Sequence, residues 1–179
     1  MARMKELYKG TVAPELAREL GLTNVHQIPK ITKVVVNAGV GRAALDSKRM
    51  DGVIKGLREI TGQAPVVTKA KKSIAGFKLR EGMNVGATVT LRGDMMYEFL
   101  DRLVSVALPR VRDFRGIKKD AFDGHGNYSL GIREHGVFPE IPFEEASEPF
   151  GLQVNISTTA GSDESAKALL THLGFPFKG

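Results

Sequence analysis

The sequence predicts an α+β fold: a mainly antiparallel five-stranded sheet with helices packed on one face and a polar face on the other. Short segments rich in β-branched residues alternate apolar and hydrophilic positions with period two, as half-buried strands do. Longer segments between them repeat apolar residues at helical spacing. With 42% apolar content in 179 residues, the chain can bury one real core, so a single domain over residues 1–179 is expected.

The elements follow in order. A helix is expected around Met4 to Leu20, interrupted near Pro14, which lacks an amide proton. Lys33 to Ala38 (Lys-Val-Val-Val-Asn-Ala) is the first strand; it follows Pro29 and ends where Gly39-Val-Gly41 lets the chain turn. Met50, Val53, Ile54, Leu57 and Ile60 mark a helix between Ala43 and Thr61, stopped by Gly62. Ala64 to Lys69 reads as a short strand. Val85 to Arg92 is a longer one, with Val85, Ala87, Val89 and Leu91 on one side and Gly86, Thr88, Thr90 and Arg92 on the other. Asp94 is placed to cap a helix whose stripe is Met95, Met96, Phe99, Leu100, Leu103 and Val106, bent or ended by Pro109. Asn127 to Arg133 and Leu152 to Thr159 supply the last strands, and Asp163 to Leu173 a closing helix.

Charge is distributed unevenly. Residues 1–119, the basic body, hold 23 Lys and Arg against 11 Asp and Glu, whereas the acidic C-terminal part, residues 120–179, holds 3 against 9. Neutralised phosphates release counterions, so the body favours a polyanion, while the tail would repel one and attract a basic protein. The absence of Cys excludes disulfides and thiolate chemistry. No apolar run of membrane-spanning length and no signal-peptide pattern is present, so an intracellular protein without a membrane partner is expected.

Strand parity places function. Side chains alternate across a sheet, so Val34 and Val36 point toward the helices, and Lys33, Val35 and Asn37 share the other face with Thr88, Thr90 and Arg92. A hydroxyl- and amide-rich face beside Lys and Arg suits an RNA held through phosphate and 2′-OH contacts; an ordinary solvated sheet face has the same parity. The long basic loop, about residues 69–84, carries Lys69, Lys71, Lys72, Lys78 and Arg80 among Ile74, Phe77 and Met83. It is either a nucleic-acid arm with an apolar foothold or a floppy solvated loop. A third basic group, Arg110, Arg112, Arg115, Lys118 and Lys119, is diluted by Asp113 and is readable as a solvated helix end. In the acidic segment Glu134 to Glu148, Phe138-Pro-Glu-Ile-Pro-Phe143 reads as a protein-contact loop or a self-packed surface loop.

Nothing in the sequence organises catalysis. His26, His125, His135 and His172 are scattered without metal-ligand spacing, and Gly39-Val-Gly41 lacks both the Lys-Ser or Lys-Thr of a P-loop and the third glycine of a dinucleotide fingerprint. No enzyme activity, cofactor, metal or small-molecule substrate is expected.

Several long words of the sequence, in order and end to end, resemble the bacterial form of large-subunit ribosomal protein five. They are Val35-Val-Asn-Ala-Gly-Val-Gly41, Thr61-Gly-Gln63, Thr68-Lys-Ala-Lys-Lys-Ser-Ile74, Val89-Thr-Leu-Arg92, Pro109-Arg-Val-Arg-Asp-Phe-Arg-Gly116, Phe122-Asp-Gly, Gly126-Asn-Tyr-Ser129, Phe138-Pro-Glu-Ile141 and Gly174-Phe-Pro-Phe177. The resemblance implies a non-catalytic protein of the cytoplasmic ribosome that holds 5S rRNA in the central protuberance of the large subunit. It implies 23S rRNA and neighbouring central-protuberance ribosomal proteins as further partners. By position, Asn37, Gln63, Thr90 and Arg92 look like the family's 5S rRNA contacts, with Lys33 and Thr88 beside them. The loop from Lys71 to Met83, through Lys72, Ser73, Phe77, Lys78 and Arg80, looks like the arm toward peptidyl-site tRNA. The region of Arg133, Glu134, Phe138, Pro139, Glu140, Ile141, Glu144 and Glu145 looks like the intersubunit bridge to small-subunit ribosomal protein thirteen, a basic partner for an acidic segment. Three places depart from the family pattern: His125 for a usual Arg, His135-Gly136 for Gln plus an apolar residue, and Phe150 where Arg is common. Local packing and charge in the bridge region are expected to differ accordingly.

Overall fold

The computed structural model describes residues 2–41, 47–142 and 149–178. Its elements, in chain order, are α1 (Arg3–Leu7), α2 (Ala13–Glu19), β1 (Ile31–Gly39), α3 (Ser47–Thr61), β2 (Val66–Lys69), β3 (Asn84–Leu91), α4 (Gly93–Arg102), α5 (Leu108–Arg110), β4 (Tyr128–Ile132), β5 (Leu152–Thr158) and α6 (Asp163–His172). The five strands form one sheet in the order β2-β3-β1-β5-β4. This is the expected α+β architecture. The β2–β3 pair is antiparallel, with Val66 opposite Thr88 and Thr68 opposite Gly86, and its register shifts between Thr68 and Lys69.

The chain divides into two compact units. The first comprises residues 1–34, 91–130 and 155–179; the second comprises residues 35–90 and 131–154.

In the first unit, both helical prolines are absorbed by a change of helix geometry. Tyr8–Val12, between α1 and α2, is a π-helical turn in which the Ala13 amide donates to the Tyr8 carbonyl five residues back. Pro14 follows in the first turn of α2. Leu103–Ala107 repeats the device before Pro109, with Leu108 donating to Leu103. Proline cannot donate to the carbonyl four residues behind it and its ring crowds that carbonyl, which the wider turn relieves. α1 is tied to α4 by Arg3, whose Nε donates to Asp101 at 3.0 Å, and by a Lys5–Asp94 ion pair. Beneath these pairs Met4, Met96, Phe99, Leu100 and Leu103 are buried. His172 at the end of α6 lies 3.2 Å from Glu15 and 2.7 Å from Glu19 on α2.

Two expectations for α4 are corrected. Asp94 is not its cap: the helix begins at Gly93, whose φ of 61° makes the strand-to-helix turn, and Asp94 lies in the first turn facing Lys5. Met95 does not belong to the buried stripe either. It is 42% exposed and Tyr97 is buried instead. At about 100° per residue, Met95 falls at the rim of the face that Met96, Leu100 and Leu103 share.

In the second unit, α3 buries Met50, Val53, Leu57 and Ile60 of the stripe read from the sequence, while Ile54 is only half-buried. Val36 and Ala38 of β1 and Ala87 and Val89 of β3 are buried with them, so this portion of the sheet has a covered face. The part of the expected helix from Ala43 to Asp46 lies outside the described residues.

Candidate nucleic-acid interface

The sheet face opposite the covered one presents Asn37 and Thr88 half-buried and Thr90 exposed, all in the second unit. Lys33, half-buried on β1, and Arg92, exposed directly after β3, belong to the first unit. Parity therefore holds along both strands: β1 alternates from Val34 to Ala38, and β3 from Ala87 to Leu91. Gly86 departs from it, because it is buried on the polar side. A Cβ there would sit 2.5 Å from the Ala38 carbonyl oxygen and 3.1 Å from Thr68 Oγ1, so only glycine permits this approach of neighbouring strands.

The polar groups on this face differ in availability. Thr88 Oγ1 donates to the Val36 carbonyl at 3.3 Å and so is partly committed to the sheet. Among the described residues, the Asn37 amide and the Thr90 hydroxyl form no hydrogen bond, which leaves them able to exchange water for a ligand. Gln63 is exposed and held from behind. The buried Thr61 donates from Oγ1 to the Leu57 carbonyl at 2.6 Å and accepts from the Gln63 amide at 3.3 Å. Gly62, at φ 72°, turns between them. Sequence reasoning misses Thr61; its signal is a polar residue on the apolar side of α3's last turn.

The basic loop is ordered by its own backbone. Ala70 and Gly82 bracket its base, with the Ala70 amide donating to Met83 at 2.8 Å and the Gly82 amide to Ala70 at 2.9 Å. Ile74 and Leu79 exchange bonds of 2.9 and 3.1 Å around a 3₁₀ turn, Ala75–Phe77, closed by Lys78 in the left-handed region at φ 53°. Ser73 Oγ accepts from the Glu81 amide at 2.9 Å, and Met83 Sδ from the Arg80 amide at 3.1 Å. Ser73 and Met83 therefore brace the loop, while Lys71, Lys72, Phe77, Lys78 and Arg80 are exposed. Phe77 is 68% exposed at the tip. These hydrogen bonds give the loop a defined backbone rather than a floppy one.

The acidic segment packs differently from a sticky surface. Arg133, Glu134 and Pro139 are exposed and Glu140 is half-buried, but Phe138 and Ile141 are 1% and 8% exposed and serve the core. Glu144 and Glu145, with Phe143, lie outside the described residues. The departures at His135 and Phe150 prove to be partners. Their rings stack with centroids 3.9 Å apart, the His135 amide donates to the Phe150 carbonyl at 3.1 Å, and the Phe150 amide to His135 Nδ1 at 3.3 Å. Gly56 of α3 lies under them, where a Cβ would be 3.0 Å from Phe150 Cζ.

The Phe122-Asp-Gly turn closes on itself. Asp123 accepts from Asn127 Nδ2 at 2.7 Å and from the Asn127 and His125 amides at 3.0 and 2.9 Å, which lowers its carboxyl from 3.8 to about 2. Asp163 accepts from the Gly124 and Gly126 amides at 3.1 and 3.0 Å. His125 is exposed at this turn.

No cluster of metal-ligating side chains occurs among the described residues, and no described helix is long and apolar enough to cross a membrane.

Comparison with known proteins accounts for nearly the whole chain. Residues 24–80 match the family model described as ribosomal protein L5, and residues 84–177 match the model of that family's C-terminus. Large ribosomal subunit protein uL5 of Rubrobacter xylanophilus is 57% identical over 178 residues, covering 99% of both chains. Proteins of the same name from Acidovorax sp. and Psychrobacter arcticus are each 56% identical over 178 residues, covering 99% of this chain and 99% and 100% of theirs.

Proposed function

This chain belongs to the ribosomal protein L5 family, a structural and non-catalytic constituent of the large ribosomal subunit, and from that premise we propose that it holds 5S rRNA on its open sheet face. The observation that carries the proposal is the combination of Asn37 and Thr90, uncommitted and accessible, with the basic side chains Lys33 and Arg92 on or directly after the same two strands. Positive charge supplies affinity through phosphate contacts, and the amide and hydroxyl supply directed bonds to sugar or base edges. Gln63 and Thr88 complete the set.

In this reading the protein anchors 5S rRNA in the central protuberance, next to 23S rRNA and neighbouring ribosomal proteins, in the cytoplasm. Its braced loop reaches peptidyl-site tRNA through Lys71, Lys72, Phe77, Lys78 and Arg80, Phe77 being able to stack on an exposed base or ribose. Arg133, Glu134 and Pro139, with Glu144 and Glu145, form the bridge to small-subunit ribosomal protein thirteen. The burial of Phe138 and Ile141 makes this a polar contact, suited to steering and register.

The deciding experiment is binding of purified protein to 5S rRNA across a salt series with excess tRNA as competitor. Tight binding that survives competition supports the proposal. Loss of binding to tRNA would reduce the protein to a general polyanion binder and remove the residue-level contacts.

A further inference from the structure

His135 and Phe150 stand at the two ends of residues 136–149, which include most of the acidic segment, and the bonding between them uses an imidazole in place of a backbone carbonyl. The His135 amide donates to the Phe150 carbonyl at 3.1 Å. In an antiparallel pair the return bond would run from the Phe150 amide to the His135 carbonyl. That carbonyl is committed elsewhere: it accepts from the Phe138 amide at 3.2 Å and closes the 3₁₀ turn His135–Val137. The Phe150 amide donates instead to His135 Nδ1 at 3.3 Å. An amide nitrogen only donates, so Nδ1 must offer its lone pair, and the ring is neutral with its proton on Nε2. His135 is 2% exposed, its ring stacks on Phe150 with an interplanar angle of 14°, and Gly56 of α3 lies against both rings. All three residues belong to the second unit.

We propose that this pair is a proton-operated latch: neutral His135 ties Phe150 to the end of β4, and protonation at Nδ1 releases it. An imidazolium carries hydrogen on both nitrogens, so a protonated Nδ1 would confront the Phe150 N–H with a second donor, and the buried ring would carry a charge. Both penalties fall on the closed form alone. The open form takes up its proton at the ordinary histidine value of about 6.5, so the latch's contribution is complete above that value and is lost as pH falls below it. The charged residues around the ring are Lys55, Arg58 and Glu59 within one turn of Gly56, Arg133 and Glu134 just ahead of it, and Glu140, Glu144, Glu145 and Glu148 between the latch residues. Acids outnumber bases in this set, which favours the imidazolium once the bond has parted. Glutamate carboxyls ordinarily titrate at about 4.3, so histidine changes charge first as pH falls. Release unties the two ends of the segment assigned above to the small-subunit contact, and acid would thereby loosen that contact. This last consequence rests on the proposed bridge; the latch does not.

Hydrogen exchange of the full chain, followed by NMR and divided by each amide's intrinsic rate, reads the latch directly. Between about pH 6.5 and 5 the protection of the Phe150 amide should fall about tenfold per pH unit, because one proton is taken up on opening. Throughout, this amide should exchange faster than that of Leu57 in α3, as a local opening requires. His135→Gln keeps a side-chain acceptor that does not titrate, so in this variant the protection of Phe150 should stay level over the same window. Protection independent of pH in the wild-type chain, or an equal fall in the variant, would overturn the proposal. Equal protection of Phe150 and Leu57 would overturn it too, since exchange would then report unfolding of the whole protein. Should the variant fail to fold, the ring signals of His135 in the wild-type chain decide: they should keep the neutral form's shifts at about pH 6, where an exposed histidine is largely charged, and a ring already charged there would sink the latch. None of these readouts involves a ribosome, so failure of the bridge and failure of the latch are distinguishable.

Discussion

Asn37 and Thr90 show how much depends on whether a polar side chain is already committed. Both are accessible, and neither is bonded within the described chain. Removing one partner of a buried hydrogen bond costs the unsatisfied group's desolvation, so Asn37→Ala and Thr90→Ala should each weaken 5S rRNA binding by about 1 to 3 kcal/mol. Thr88→Ala should cost less, because the Thr88 hydroxyl already donates to the Val36 carbonyl. Filter binding of the three variants at one salt concentration checks the order. Behind the site, Thr61→Val replaces a buried hydroxyl with a methyl and strips the Gln63 amide of its acceptor. A loss of about 1 to 3 kcal/mol in urea unfolding is expected, against none if the hydroxyl were idle. Asn37, Thr90 and Arg92 were legible because strand period alone assigns a face. The bracing by Thr61, like the stack of His135 on Phe150 across a separation of 15 residues, was not. A sequence marks the two residues without marking that they meet.

At the level of elements, the strands and helices were readable wherever one face is buried, since burial imposes the period. β1, β3 and α3 are found where their apolar residues placed them. Elements whose geometry depends on backbone accommodation were not readable in the same way. Pro14 and Pro109 signal an interruption, but only the packed helices decide that it takes the form of a widened turn. The basic loop is a similar case: its length and glycines suggest disorder, and its order comes from paired amides and from Ser73. Gly86→Ala tests the sheet itself. Its new methyl meets the Ala38 carbonyl oxygen, and crowding of this kind costs about 1 to 3 kcal/mol, measurable as a lower urea midpoint with unchanged slope. The Asp123 turn gives a pH prediction. Its carboxyl titrates lower in the folded protein than in the unfolded chain, so its contribution is complete above the unfolded value of 3.8 and is lost as pH falls through about 2. Asp123→Asn should flatten the decline of stability over that window in acid unfolding curves, whereas an unaltered decline would show that the turn does not hold the charge.

For the whole molecule, the dividing points between the two compact units fall inside β1, β3, β4 and β5. A strand that serves both units cannot be lost from one alone, so the chain is expected to unfold in a single transition, with calorimetric and van't Hoff enthalpies equal. Two resolved transitions would instead make the units independent. The charge division also belongs to this scale. The basic excess of residues 1–119 and the acidic excess of residues 120–179 are properties of composition, and they point to a polyanion and a basic partner without reference to any fold. The sequence by itself determined the α+β class, the parity of the polar face and the family, because hydrophobic period, charge and long ordered words are local properties of a chain. Tertiary structure alone decided that Phe138 and Ile141 are core, that the basic loop is braced, and that Lys178 returns beside Gly116 and Ile117. None of these is marked by a local pattern; each is settled only when the folded chain excludes water and must satisfy its buried polar groups.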